Sequence, residues 1–442
     1  SGIINFNNNI VSKKDLELMM HKMKHRGPDD EGVFIDENFG LGFVRLSILD
    51  LSKDGHQPMQ RDNERYTIIY NGEVYNYLEI REELSHKYKF TSRTDTEVVL
   101  AAYQEWGEKC LERFNGMFAF VIYDKKLKKV FGARDRFGIK PFYYYEDEDK
   151  FLFASEIKSI LPFVKRKAND KIIYDYLMFN RTDHTNETFF EGIYKMQHGY
   201  YLEIENNEVS FHRWYNLSDN IKREKSISPE EYRELFKDSL KLRLRADVPI
   251  GVSLSGGIDS SCVVSSLYND FKLNELNTFS AVFGEDEPTD ESEYIKEYSA
   301  IIKNMHYTIP TAETFYDDFE SFIESHNEPC PDIGPYAQFK VMELANKYVK
   351  VTLDGQGADE QLGGYHYFFS TYYLELIKKL KLYRLIIENI EYFKKHKSIN
   401  ALKYFLYYIL PIKIQNKISK NIYPSINKSF LNKNSSNHRV NE

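Results

Sequence analysis

"VSLSGGIDSS" runs from Val252 to Ser261, and its reading decides the architecture of the second half of the chain. Its first residues are apolar and suited to a strand, Ser255-Gly256-Gly257 make a tight turn, and Ile258-Asp259-Ser260-Ser261 open a helix. Two glycines let backbone N–H groups approach an anion closely, and a helix N-terminus adds partial positive charge. Hydroxyls on Ser255, Ser260 and Ser261 suit phosphate oxygens, and Asp259 suits Mg²⁺. No Lys-Ser/Thr pair closes the loop, so it is not a Walker A sequence.

Working outward, the pattern predicts a helix over 230–244, a strand over 250–254, a helix over 260–268 and a strand over 278–283. A helix over 336–348 and the strand "VKVTLDG" (349–355) follow. Alternating strands and helices imply a parallel α/β sheet with its ligand at the carboxyl ends of the strands. A second acidic loop, "LDGQGADEQLGGY" (353–365), leaves one such end. It carries Asp354, Asp359 and Glu360 among four glycines, and its paired carboxylates suit the far side of a magnesium pyrophosphate. Upstream, the polar stretch 216–227 reads as a linker. It leads into "SPEE", where Ser228 and Glu231 form a capping box and Pro229 fits the first helical turn.

Residues 1–215 read differently, as α+β. "RYTIIYNGEVY" (65–75), "GMFAFVIYD" (116–124) and "KVFGARD" (129–135) have strand composition, with another strand pair near 194–215. Helical spacing appears at 78–84 and at 96–106, where Val98, Val99, Ala102, Tyr103 and Trp106 share a face. With 442 residues, two domains are the natural division: 1–215 and 228–442. A net charge of −8 gives no overall basic footprint for nucleic acid. Cys110, Cys262 and Cys330 are too few and too scattered for a disulfide framework or a thiolate metal site, which fits a reducing, cytoplasmic setting. No apolar run reaches the roughly 20 residues of a membrane span, and the N-terminus lacks the pattern of a signal peptide.

The last stretch changes character. Residues 366–442 carry 14 Lys/Arg against 4 Glu and no Asp, in long Tyr-, Leu- and Ile-rich patterns. They read as amphipathic helices with a solvated basic face. The final "NKNSSNHRVNE" reads as a disordered tail or a cut loop.

Several further blocks occur in order: "SGIINF", "HRGPDDEG", "RLSILD", "YNGEVYNY", "SRTDTE", "ARDRFGIKPFYY", "FASEIKS" and "LRADVPIGVSLSGGIDSS". Together with the acidic loop they make residues 1 to about 367 resemble the glutamine-hydrolysing asparagine synthetases. The glycine loop then resembles the pyrophosphate-binding loop of enzymes that split ATP between its α and β phosphates.

The resemblance implies an α+β N-terminal-nucleophile hydrolase sandwich followed by an α/β parallel-sheet ATP pyrophosphatase domain. The first would hydrolyse glutamine. The second would adenylate a carboxylate, most simply that of aspartate, and ammonia from an internal tunnel would displace AMP. ATP and Mg²⁺ are the implied cofactors, and a homodimer the implied assembly. Ser1 stands where the family has its catalytic cysteine, whose own α-amine is the base. By the same resemblance Asn71 and Gly72 form the oxyanion hole, Arg45 grips the glutamine α-carboxylate, and Glu73 with Asp95 hold its α-ammonium. In the second half Leu254, Ala281 and Gly355 line the adenosine pocket. Ser255, Gly256, Gly257 and Ser260 hold pyrophosphate, with Asp354 in the adjoining acidic loop, and Asp259 with Asp359 bind Mg²⁺.

Three departures qualify the match. A serine hydroxyl is a poorer nucleophile than a thiol at neutral pH, so little glutamine hydrolysis is expected, whether Ser1 is natural or an introduced change. Gln356 stands beside the expected acyl-adenylate, where many relatives have Glu. No "RxPFLD"-type block follows Tyr365, which reads as a C-terminal truncation. Two other readings stay open at this point: amidation of another carboxylate, such as a sugar uronic acid or a peptide, and a catalytically silent glutamine-binding protein.

Overall fold

The computed structural model describes residues 1–221, 227–284, 290–411, 414–415 and 429–430. Residues 222–226 of the expected linker and the 432–442 tail lie outside them.

In the strand Tyr66–Val74, alternate residues serve two cores. Ile68 and Tyr70 face the helix Asp95–Trp106, meeting Val98, Val99 and Ala102, whereas Ile69 faces the opposite way. The neighbouring strand Gly116–Asp124 repeats the division, with Phe118, Phe120 and Ile122 on the helix side and Ala119, Val121 and Tyr123 on the other. A period of two thus covers the sheet on both faces. This sheet has six strands in the order 208–213, 200–205, 129–134, 116–124, 66–74 and 59–61.

The second six-stranded sheet runs 193–195, 143–146, 150–154, 2–5, 39–45 and 30–36. Its Ile4, Phe39, Leu41, Phe151 and Phe153 pack against Ile69 and Val121 of the first sheet. Its other face is covered by the helix Lys13–Lys22 through Leu16 and Met19. The result is an α+β sandwich of two sheets between helices. Strand Gly2–Asn5 lies in mid-sheet, paired antiparallel with Phe39–Arg45 and with Lys150–Ala154.

The second half is built on a four-stranded parallel sheet ordered Asn304–Thr308, Asn277–Ala281, Ile250–Ser253 and Val351–Leu353. One face takes Val263, Val264 and Leu267 of the helix Ile258–Asn269, and the other takes Val341 and Ala345 of the helix Gly334–Ala345. Helix Pro229–Arg243 begins with the expected capping box, both reciprocal bonds of Ser228 and Glu231 being present. It is an α/β architecture.

The C-terminal helices Phe368–Lys378, Leu382–His396 and Asn400–Ile409 form as the pattern predicts, but the exposed side of the middle one is not simply basic. Leu382, Tyr383, Ile386, Ile387, Ile390 and Phe393 are all exposed. Its inward side is anchored by polar contacts instead, Tyr372 Oη donating to Glu388 and Tyr392 Oη meeting His366 Nδ1. Among the described residues, no helix is long and apolar enough to cross a membrane.

Candidate active sites

The first site is a pocket of about 360 Å³ at the edge where the two sheets of the sandwich diverge. Ser1, Arg45, Asn71, Gly72, Glu73 and Asp95, all singled out from the sequence, line it together.

Ser1 enters at the head of strand Gly2–Asn5. Its α-amine donates to Gly42 O at 2.9 Å, its Oγ lies 3.2 Å from the same oxygen, and its own carbonyl accepts from Gly42 N–H. Burial pulls the amine down to about 5, so at neutral pH it carries a free lone pair beside its own hydroxyl. Asn71 and Gly72 come from strand Tyr66–Val74. A Cβ at Gly72 would stand 2.3 Å from Met117 O, so the cross-strand neighbour demands glycine there. Asn71 Nδ2 reaches Ser155 Oγ at 3.5 Å.

Arg45 ends strand Phe39–Arg45 and turns its guanidinium into a nest of carbonyls. Nη1 donates to Ser52 O at 2.9 Å, and Nη2 to Leu49 O at 3.2 Å and Asp50 O at 2.5 Å. A Cβ at Gly55 would lie 1.9 Å from Nη2, so this glycine leaves the room that the guanidinium fills.

Opposite stand two carboxyls. Asp95 accepts from Tyr70 Oη at 2.7 Å and from Val74 N–H at 2.9 Å, and burial raises it to about 6 against those bonds. Glu73 has a buried Oε1 with no hydrogen-bond partner. Burial first, then the charge of Asp95, push it up to about 7, while Lys140 and Arg243 pull the other way. A cation walled in on one side and two carboxyls on the other, Glu73 with an unpartnered oxygen, have the charges that suit a zwitterionic amino acid, with the Ser1 hydroxyl and the Asn71 amide sharing the wall.

Sequence reasoning missed Lys140 and Gln57. Lys140 lies inside the block "ARDRFGIKPFYY", and burial lowers its ammonium beside Glu73. Gln57 is buried beneath the pocket, accepting from Tyr70 N–H at 2.7 Å. A lysine embedded in an aromatic run was the available signal for the first, and nothing local marks the second.

The second site lies at the carboxyl ends of the parallel strands, where a cleft of about 940 Å³ is lined by Leu254, Ser255, Ala281 and Gln356. Gly256, Gly257, Asp259, Ser260, Asp354, Gly355 and Asp359 are not on its wall; they sit in the adjoining turns and, for Asp259, Ser260 and Asp359, in the first turns of the helices Ile258–Asn269 and Ala358–Leu362. Ser260 Oγ ties the turn together, meeting Ser255 N–H and Ser255 Oγ at 3.1 Å each and Gly257 O at 3.2 Å. Gly256 has φ +89°, which favours glycine. A Cβ at Gly355 would approach Ser260 N to 2.9 Å, so the acidic loop rests directly on the glycine loop.

Asp259 is held above the usual carboxylate range by burial and by the charges of Asp359 and Glu360. Among the described residues there is no cluster of three or more metal-ligating side chains. Two mutually repelling carboxylates fit a Mg²⁺ ion that takes its other ligands from phosphates and water.

Residues 1–215 match the glutamine amidotransferase domain family, and residues 231–407 match asparagine synthase. A protein of Methanocaldococcus jannaschii assigned as glutamine-hydrolyzing asparagine synthetase 2 is 38% identical over 419 residues, covering 88% of this chain and 79% of that one. The chain belongs to the glutamine-hydrolysing asparagine synthetase family. Its members are carbon–nitrogen ligases. Asparagine synthetase 1 of Bacillus subtilis is 37% identical over 80% of this chain, and the amidase chry2 of Gibberella zeae is 33% identical over 80%. The chain spans 56% of the length of each of these two relatives.

Proposed function

We propose that this chain is an ATP-dependent amide ligase that converts aspartate to asparagine with nitrogen from glutamine. The single observation that carries the reading is the pairing of a zwitterion-binding pocket around Ser1 with a pyrophosphate-type loop in one family-matched chain.

In the first half Arg45 binds the α-carboxylate of glutamine, and Glu73 and Asp95 bind its α-ammonium. Ser1 Oγ attacks the amide carbon, its proton passes to the α-amine, and Asn71 Nδ2 and Gly72 N–H receive the oxyanion. Ammonia leaves, and water frees glutamate from the ester. In the second half an aspartate carboxylate oxygen attacks the α-phosphorus of ATP, pyrophosphate leaves into the Ser255–Ser260 loop, and ammonia then displaces AMP from the acyl carbon. Leu254, Ala281 and Gly355 would flank adenosine, with Gln356 near the acyl group and Asp354 at the strand end behind it. Asp259 and Asp359 would hold Mg²⁺, which would supply positive charge against the pyrophosphate. A cytoplasmic homodimer completes the reading, in keeping with the family and with the three free cysteines.

Aspartate-dependent ATP–pyrophosphate exchange tests the synthetase half. The expected result is exchange with aspartate well above the acceptor-free background; exchange only with another carboxylate, or with none, would overturn the assignment.

Glu73 also sets a pH dependence. A carboxyl near 7 loses its charge as pH falls through that value, so glutamine affinity is expected to drop about tenfold from pH 8 to pH 6. The ligand-free fold behaves oppositely. A carboxyl raised from 4.5 contributes its stability fully below 4.5 and loses it as pH rises through about 7. Calorimetric titration with glutamine across this range checks the first sign, with Glu73→Gln expected to bind weakly and with a shallower pH dependence, and thermal unfolding of the ligand-free chain across the same range checks the second.

A further inference from the structure

The two halves meet at the segment between helix Pro229–Arg243 and strand Ile250–Ser253, and this segment reaches the glutamine pocket. Asp247 Oδ2 accepts from Asp50 N–H at 2.8 Å, and Asp247 N–H donates to Ile48 O at 2.9 Å. Both contacts fall on the Ile48–Ser52 turn, whose carbonyls at Leu49, Asp50 and Ser52 receive the Arg45 guanidinium. Asp50 itself has φ +51°, an uncommon backbone state for a residue with a side chain. Its carboxylate is fully engaged by Ser52 and by Arg93 N–H, so it helps hold that conformation.

A second arm lies on the far wall. Arg245 Nη1 donates to Tyr75 O at 2.6 Å and its guanidinium pairs with Glu79, while Arg243 lies over the Tyr75 ring. Tyr75 follows the Glu73-Val74 segment that meets Asp95.

We propose that Asp247 is a positioning residue for glutamine: from the synthetase half it fixes the Ile48–Ser52 turn whose carbonyls aim Arg45 at the substrate carboxylate. The glutamine pocket is therefore completed by the other domain. The inference rests on the reading of Arg45 as the carboxylate ligand. Asp247 stands three residues before the strand that leads into the pyrophosphate loop, so a single short segment serves both sites.

The test is glutamine binding by calorimetry on the full chain at pH 8, with Arg45→Met as reference. Asp247→Ala is expected to weaken glutamine about tenfold, with stoichiometry near one and ATP–pyrophosphate exchange retained. Asp247→Asn keeps an oxygen for Asp50 N–H and is expected to bind within about twofold of the parent. Parent-like affinity in Asp247→Ala while Arg45→Met fails to bind would overturn the positioning role alone. Parent-like affinity in Arg45→Met would overturn the reading of Arg45 beneath it. Loss of binding sites and exchange together, equally in Asp247→Ala and Asp247→Asn, would make the contact one of general stability and overturn it too.

Discussion

Ser1→Cys is expected to raise glutamine hydrolysis on the order of 100-fold, the largest gain open to a single substitution in this chain. The pocket is already formed: the α-amine is buried and pulled to about 5, Gly42 O fixes its direction, and Asn71 with Gly72 stands beside it. Only the nucleophile is weak. A hydroxyl must surrender its proton as it attacks, whereas a few per cent of a thiol is ionised at pH 7 without help. Because the amine stays neutral down to about 5, the cysteine variant at saturating glutamine is expected to keep its base as pH falls toward that value, whereas at low glutamine its rate falls earlier with the charge of Glu73. Ammonia release from glutamine, measured against pH for the parent, Ser1→Cys and Ser1→Ala, is the check. A cysteine variant no faster than the parent would mean that the pocket, rather than the atom at its centre, is unfit for the reaction.

The second large effect is expected at Asp259. Asp259→Asn should lower aspartate-dependent ATP–pyrophosphate exchange on the order of 100-fold, since a neutral amide gives up the charge that draws Mg²⁺ to the phosphates. The thermal midpoint separates this from a loss of fold. Asp259 faces Asp359 and Glu360, so removing its charge relieves repulsion, and the thermal midpoint is expected to stay level or rise. Glutamine binding belongs to the other pocket and should be unchanged. Exchange at the parent rate would remove Asp259 from the nucleotide site.

Much of this was legible in the sequence because it lies in short contiguous runs. The glycine loop announces its strand, turn and helix within ten residues, and the runs 65–75 and 116–124 have strand composition. The glutamine-site residues were legible only through ordered motif blocks, since Ser1, Arg45, Asn71 and Asp95 are far apart in the chain. What stayed hidden depends on tertiary contact alone. Gln57 looks like any loop glutamine until it is found under Tyr70, and Asp247 reads as a residue before a strand until the turn at Asp50 is brought against it. The helix Leu382–His396 was legible in part: Arg384, Lys394 and Lys395 are exposed as its basic pattern implies, but apolar residues are exposed beside them. Its amphipathic pattern shows that two faces exist, but polar anchors at Glu388 and Tyr392 decide which one turns inward.

The placement of strand Gly2–Asn5 bears on the order in which the molecule is assembled. Its two neighbours in the sheet are supplied by residues 39–45 and 150–154, the second some 150 residues away in the chain. Ladders that join such distant positions close slowly, because a long loop must be ordered first. Ser1 is therefore set in its final surroundings only after a distant segment has docked beside it. Without residues 150–154 the strand beside Ser1 is missing, and its hydroxyl and amine have no complete pocket to focus them.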